Sequence, residues 1–350
     1  MKDIFMITRN DLGFARNEFI LKALQHLKIT PIMFNNDLSF LKRQVELVKC
    51  FINNRKCFKN VLLTPRCKND LLMVKALSLL FRKKLIVDVF ISSYDTLVED
   101  RKLYPKNGVM ATFLKIFDKM VIASANVALL DTYEHINYFK ENISKKGNYH
   151  RVIMGSDKKR HKPHIKHKTE ENETFNIIYN GTYIPLHGVE FIISAAKKLK
   201  DENIQFRLFG DGQVYPEMKE KVRSLGLKNV KFVKEFTEQE LLDAIGNSDI
   251  FLGVFGDTNK AKRVIPTKVF KGMALRKCII TGKCKAMEEI FTEGEDYIGV
   301  NFADSEDLKN KIQFLKKNRD IINEIENKSY DSFCQKGDIS SVAKELHEIL

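Results

Sequence analysis

The chain has 350 residues, 44% hydrophobic and 30% charged, a balance that excludes a disordered or fibrous polypeptide and a length that suits two domains. Its net charge of +14 is unevenly placed: residues 1–160 hold 29 basic and 15 acidic side chains, whereas residues 161–350 hold 30 of each. No stretch reaches the roughly 18 uninterrupted apolar residues of a membrane-spanning helix, because Lys75, Lys115 and Lys119 break the best candidates.

In chain order, short apolar runs alternate with amphipathic stretches, the pattern of parallel βα units. The opening run Ile4-Phe5-Met6-Ile7-Thr8 is too brief for a signal-peptide core and reads as a first buried strand, so a cytoplasmic protein is expected. Further strands are predicted at 30–34, 60–64, 85–90, 126–130 and 151–154, with helices at 14–27, 38–53, 70–81 and 132–140 between them. Gly155-Ser156-Asp157 and the charged run 158–173 lack a periodic apolar face and read as a linker. The alternation restarts with strands at 176–179, 205–209, 230–233, 250–254 and 278–281 and helices at 189–200, 215–225, 238–247 and 267–275. The expected organisation is a Rossmann-like domain over 1–155, a linker over 156–174, a second Rossmann-like domain over 175–325, and a C-terminal helix within 326–350 placed to cross back to the first domain. Ligands of open α/β sheets bind at the carboxyl ends of the strands.

Three segments carry chemistry. Strand 176–179 runs into Gly181, then a loop with Pro185, then Gly188 at a helix start, where backbone N–H groups can face an anion without side-chain obstruction. Gly210-Asp211-Gly212 follows another strand and has the composition of a βα turn. In the third segment Pro266 suits a helix start; Lys268 and Lys271 then stand one turn apart, with Arg263 just upstream. Like charges there repel each other and the helix dipole, and a diphosphate between them would remove the conflict.

Cysteines at 50, 57, 67, 278, 284 and 334 lack the two-residue spacing of zinc or redox motifs and read as reduced structural thiols. His161, His164 and His167 sit among Arg160, Lys162, Lys166 and Lys168, a basic setting that reads as a solvated linker rather than a metal site. No Asp-x-Asp metal motif is present. The basic amphipathic stretches 38–59 and 103–119 are suited to an anionic leaflet, each cation near such a surface being worth about 1 kcal/mol, with ordinary Rossmann-type helices bearing solvated lysines as the alternative. No nucleic-acid module interrupts the α/β pattern.

The order of these segments from Phe175 to about Ala303 resembles the C-terminal domain of retaining GT-B glycosyltransferases of family 4. Asp88 with Ser92-Ser93-Tyr94-Asp95 and Asp100-Arg101, Asp131 to His135, and Gly155-Ser156-Asp157 resemble a subgroup of these enzymes. The resemblance implies an α/β protein of GT-B fold, two Rossmann-like doubly wound domains facing a central cleft, and transfer of a hexosyl or related group from a nucleotide sugar, UDP- or GDP-linked first of all. It implies retention, no cofactor and no metal, with the acceptor a saccharide or lipid-linked sugar of surface polysaccharide or glycolipid synthesis.

By that resemblance Gly181, Thr182, His187 and Gly188 lie along the donor diphosphate and sugar, Lys234, Glu235 and Phe236 beside the base, and Arg263 and Lys268 on the leaving diphosphate. Arg263 and Lys271 occupy the positions of two glutamates that the family usually carries eight residues apart. On the acceptor side the candidates are Gly13, Asp88, Ser92, Ser93, Asp95 and Arg101, with Asp95 expected to accept a hydrogen bond or proton and the alternative that it caps a turn. The expected location is cytoplasmic, extending to the cytoplasmic face of the inner membrane. A nucleotide-sugar epimerase of GT-B fold and a non-catalytic sugar-nucleotide-binding subunit remain alternatives.

Overall fold

Twelve short strands form two parallel sheets in a computed structural model that describes residues 3–163 and 174–350. In the first sheet they are β1 (Ile4–Thr8), β2 (Ile32–Asn35), β3 (Asn60–Leu63), β4 (Lys84–Asp88), β5 (Val127–Leu130) and β6 (Tyr149–Arg151), in the order β2-β1-β3-β4-β5-β6. The connecting helices are α1 (Ala15–His26), α2 (Phe40–Asn54), α3 (Leu71–Leu80), α4 (Val109–Ser124) and α5 (Tyr133–Asn142). Helices cover both faces of such a sheet, which is why β1, β3 and β5 read as unbroken buried runs.

In the second sheet the strands are β7 (Phe175–Asn180), β8 (Ile204–Phe209), β9 (Val230–Val233), β10 (Ile250–Leu252), β11 (Ile279–Gly282) and β12 (Ile298–Val300), ordered β12-β11-β10-β7-β8-β9. Its helices are α6 (Val189–Lys198), α7 (Tyr215–Ser224), α8 (Glu238–Gly246), α9 (Thr267–Ala274), α10 (Lys285–Glu288), α11 (Ser305–Lys317) and α12 (Arg319–Lys336). Local chemistry fixes several helix starts: the Thr237 hydroxyl and the Glu240 carboxylate close a capping box on α8, and Asp304 caps α11. From β7 the chain winds outward through β8 and β9, then returns to β10 beside β7 and winds the other way. The order therefore reverses between β7 and β10.

The chain divides into two units, residues 1–154 with 339–350, and residues 155–338. The last helix, α13 (Ile339–His347), packs on α1 within the first unit, and its Glu345 meets Arg151 at 2.6 Å and accepts from the Ile153 amide. Helix α12 belongs to the second unit.

Three expectations shift. Strand β6 covers 149–151 rather than 151–154, because the Val152 and Ile153 carbonyls turn to the buried Arg16 guanidinium. Helix α4 is anticipated only as the basic amphipathic stretch 103–119, and strand β12 is not anticipated. The expected linker is in part a packed segment: Ser156 bridges to Asp338, its amide donates to Gly337, and its hydroxyl pairs with the buried His161 ring at 2.6 Å. His164, His167 and the rest of 164–173 lie outside the described residues.

Candidate functional site

The loops at the carboxyl ends of β7, β8, β9 and β10 line an open cavity of about 480 Å³ in the second unit. Asn180, Gly181, Thr182, Leu186 and His187 come from the β7 loop, Gly210 and Asp211 from the β8 turn, Phe236 from the β9 loop, and Val264, Pro266, Thr267 and Lys268 from the approach to α9. This is the reversal point of the sheet, where an open α/β fold leaves a crevice.

Pro266 has φ −63° and ψ 138° and serves as the N-cap of α9, one position earlier than the first-turn place expected for it. Thr267 and Lys268 are then the first two helical residues, with backbone N–H groups that no helical carbonyl can reach. The Lys268 side chain folds inward and is 7% exposed. Its ammonium lies 4.1 Å from the centre of the Tyr179 ring and has no hydrogen-bond partner among the described residues. Burial holds its pKa well below the ordinary lysine value. A buried ammonium contacting only an aromatic face is costly for the folded protein and receptive to an anion.

Tyr179 also serves His187. Its hydroxyl, kept protonated because burial pushes its pKa well up, lies 2.8 Å from His187 Nδ1. Burial first, and then the Lys268 charge, hold the His187 pKa well below 6.5, while a hydrogen bond with the Thr182 backbone acts in the opposite sense. The imidazole is therefore neutral, and the tautomer with its proton on Nε2 leaves Nδ1 to accept from the tyrosine. Gly181 permits this crowding, since a Cβ there would lie 2.5 Å from Lys268 Nζ and 2.9 Å from His187 Cε1. Gly188 adopts φ +62° between the Pro185–His187 3₁₀ turn and α6, and a Cβ would fall 2.3 Å from the Gly256 nitrogen. Its part is in the backbone, outside the cavity lining.

The other donor-side candidates separate. Phe236 lines the cavity and packs edge-on against Phe209 at 5.2 Å. Lys234 is exposed and pairs with Asp211 at 2.9 Å, and Glu235 is exposed beside it; neither lines the cavity. Arg263 is half-buried one residue before the lining residue Val264. Lys271 corrects an expectation: it does not share the cavity with Lys268, and its charge acts on His161 and Glu238, lowering the pKa of both. Two residues three apart on a helix differ by about 60° in direction, enough to send one to Tyr179 and the other toward α8. Asp211 and Thr267 are lining residues that sequence reasoning left unassigned. The signals for them were the Gly-Asp-Gly turn and the residue following Pro266.

The acceptor-side candidates lie in the first unit. Asp88 is fully buried and paired with Arg16 at 2.8 Å. Ser92 donates to Asp118 at 2.6 Å and accepts from the Asp95 amide at 2.9 Å, and the Ser93 amide also reaches Asp118. Asp95 is buried at the start of a π-helical turn, Asp95–Asp100. Gly13 and Arg101 are exposed. Asp88 is thus held by Arg16, whereas the loop from Ser92 to Asp95 is organised by Asp118, which sequence reasoning missed. Among the described residues no group of three or more His, Cys, Asp or Glu side chains could hold a metal ion, and no helix is long and apolar enough to cross a membrane.

Two flanked parallel sheets with a cavity at the second sheet's switch point define the GT-B class of fold, and solved structures share it along the whole chain. Sucrose-phosphate synthase from Thermosynechococcus elongatus matches with a TM-score of 0.77 at 12% identity, covering 100% of this chain and 98% of the other. HepE from Anabaena, solved with UDP and glucose, matches at 0.74 and 13% identity over 100% and 99% of the two chains, and has also been solved with UDP-glucose. A glycosyltransferase from Rickettsia africae matches at 0.70 and 13% identity, over 99% and 97%. Residues 174–318 match the family described as Glycosyl transferases group 1, a span that contains every residue lining the cavity. No curated protein matches the sequence. The family match and the fold support a glycosyltransferase of this kind.

Proposed function

We propose that the chain transfers a glycosyl group, hexosyl or related, from a nucleoside-diphosphate sugar to a saccharide or lipid-linked acceptor, with the donor diphosphate in the cavity at the head of α9. The observation that carries this reading is Lys268, a residue of that cavity's lining whose buried ammonium has no hydrogen-bond partner among the described residues. A diphosphate would accept from Lys268 and from the first N–H groups of α9, and its charge would stabilise the ammonium. HepE, holding UDP and UDP-glucose, supports a nucleotide-sugar donor and favours UDP over GDP.

In this reading the acceptor hydroxyl attacks the anomeric carbon as the bond to the β-phosphate oxygen breaks. Negative charge grows on that oxygen, where Lys268 and Arg263 stabilise it without a metal ion or other cofactor. Neutral His187 lies along the sugar side of the diphosphate without adding charge, its ring held by Tyr179 and the Thr182 backbone. Phe236 offers a flat apolar face to the base. Lys271 contributes through Glu238 and His161. Asp95 reaches an acceptor only if its π-helical turn opens. Retention, the family 4 mechanism, and service in surface polysaccharide or glycolipid synthesis on the cytoplasmic side complete the proposal.

Incubation with UDP-, GDP-, ADP- and CMP-sugars tests it. Slow release of one nucleoside diphosphate with free sugar of retained configuration is expected. Isomerisation of the intact donor would replace the reading with an epimerase, and absence of binding to any donor would overturn it.

A further inference from the structure

We propose that the carboxyl-end rim of the first unit docks on an anionic lipid bilayer through the first turns of α2, α3 and α4. Each of these helices follows a parallel strand, so its first turns lie at the carboxyl edge of the sheet, and α3 packs beside both α2 and α4. Their core faces are filled: Leu47 and Phe51 of α2, Leu71, Val74 and Leu77 of α3, and Val121 and Ile122 of α4 are buried against the strands.

A second apolar set faces solvent. Phe40 and Leu41 on α2, Leu72 on α3, Val109 and Phe113 on α4, and Leu103 just before α4 are between 54% and 89% exposed. Helices apolar on both sides are otherwise buried or membrane-bound, and contiguous exposed apolar surface marks an interaction site.

Charge chooses the occupant. Exposed Lys42, Arg66, Arg101, Lys102 and Lys106 lie on the same rim. The exposed acids nearby are compensated, Asp37 by Arg9 at 2.7 Å and Glu46 by Lys49 at 2.9 Å. A second copy of the chain would set this basic rim against another basic rim. A sheet of lipid phosphates matches it, with the apolar side chains entering the acyl boundary and the cations staying at headgroup level. The whole charge excess of the sequence falls in the half that carries this face.

Flotation of the full chain with vesicles tests the proposal independently of any sugar-transfer activity. The chain should float with mixed phosphatidylglycerol–phosphatidylcholine vesicles, poorly with phosphatidylcholine alone, and less as salt is raised. Leu41→Ser combined with Phe113→Ser should weaken binding to the mixed vesicles at least ~10-fold, and Lys102→Glu with Lys106→Glu should abolish the preference for anionic lipid. All four side chains are exposed, so unchanged thermal melts would show that the fold is kept. Equal binding to neutral and anionic vesicles, binding unaltered in both double variants, or self-association without vesicle binding would overturn it.

Discussion

The first unit's buried arginines and the Lys268 of the second unit's cavity are enclosed in opposite ways, although the second unit also buries a paired cation, Lys277, with Glu326 at 3.0 Å and the Ser248 carbonyl. In the first, Arg16 and Arg43 are almost wholly enclosed, yet each is paired and bonded: Arg16 to Asp88 and two carbonyls, Arg43 to Asp70, the Thr8 carbonyl and Asn36. Lys268 is nearly as enclosed, yet its ammonium lies over the face of Tyr179 with no hydrogen-bond partner among the described residues. A buried charge with all its partners belongs to the fold. One held without them stores a cost that a ligand can remove.

The sharpest way to break that contrast is to orphan a satisfied cation. Asp88→Ala leaves Arg16 buried without its carboxylate and should cost about 3–5 kcal/mol, read from the denaturant midpoint. A loss near zero would mean that the pair is not structural. Next comes the backbone that shapes the cavity. Gly188→Ala puts a Cβ against Gly256 at a positive φ and should cost about 2–4 kcal/mol by the same measurement.

Lys268→Met should act in the reverse direction, stabilising the free protein by about 1–2 kcal/mol, because it removes an uncompensated buried charge while keeping the stem's volume. A thermal melt below that of the unaltered chain would contradict this. The smallest effect concerns Lys271. Burial, then Lys271 and Arg160, lower the His161 pKa to about 4 from 6.5, so the unfolded chain takes up a proton first as pH falls. Stability should therefore decline between about 6.5 and about 4 on this account. In Lys271→Gln the His161 pKa should rise and that decline should shrink, as followed by NMR titration and melts across the same range.

The cavity of the second unit was the more legible of the two regions, for a physical reason. Gly181, Gly188 and Pro266 answer backbone demands, close approach, positive φ and a helix start, which show in the residue type itself. The first unit's polar residues give no such sign. Whether Asp88 meets a ligand or an arginine 72 positions away is a long-range matter, and the carboxylate looks the same in either case. The alternation of strands and helices gave both sheets apart from β12, three residues long and with little room for a pattern. Helix α4 was legible only as a basic amphipathic stretch, because its exposed Val109, Phe113 and Ile116 widen its apolar surface beyond the single stripe of an ordinary surface helix. Lys268 and Lys271 were legible as a cationic pair, but their divergence depends on Tyr179 and Glu238, which neighbour them only in the folded chain.

Calorimetric titration of UDP into the unaltered chain and into Lys268→Met tests the central claim most directly. The expected result is binding by the unaltered chain that weakens as pH rises, since the anion favours the protonated ammonium, and a loss of about 10–100-fold in the variant. Equal UDP affinity in the two proteins would contradict a diphosphate held by Lys268.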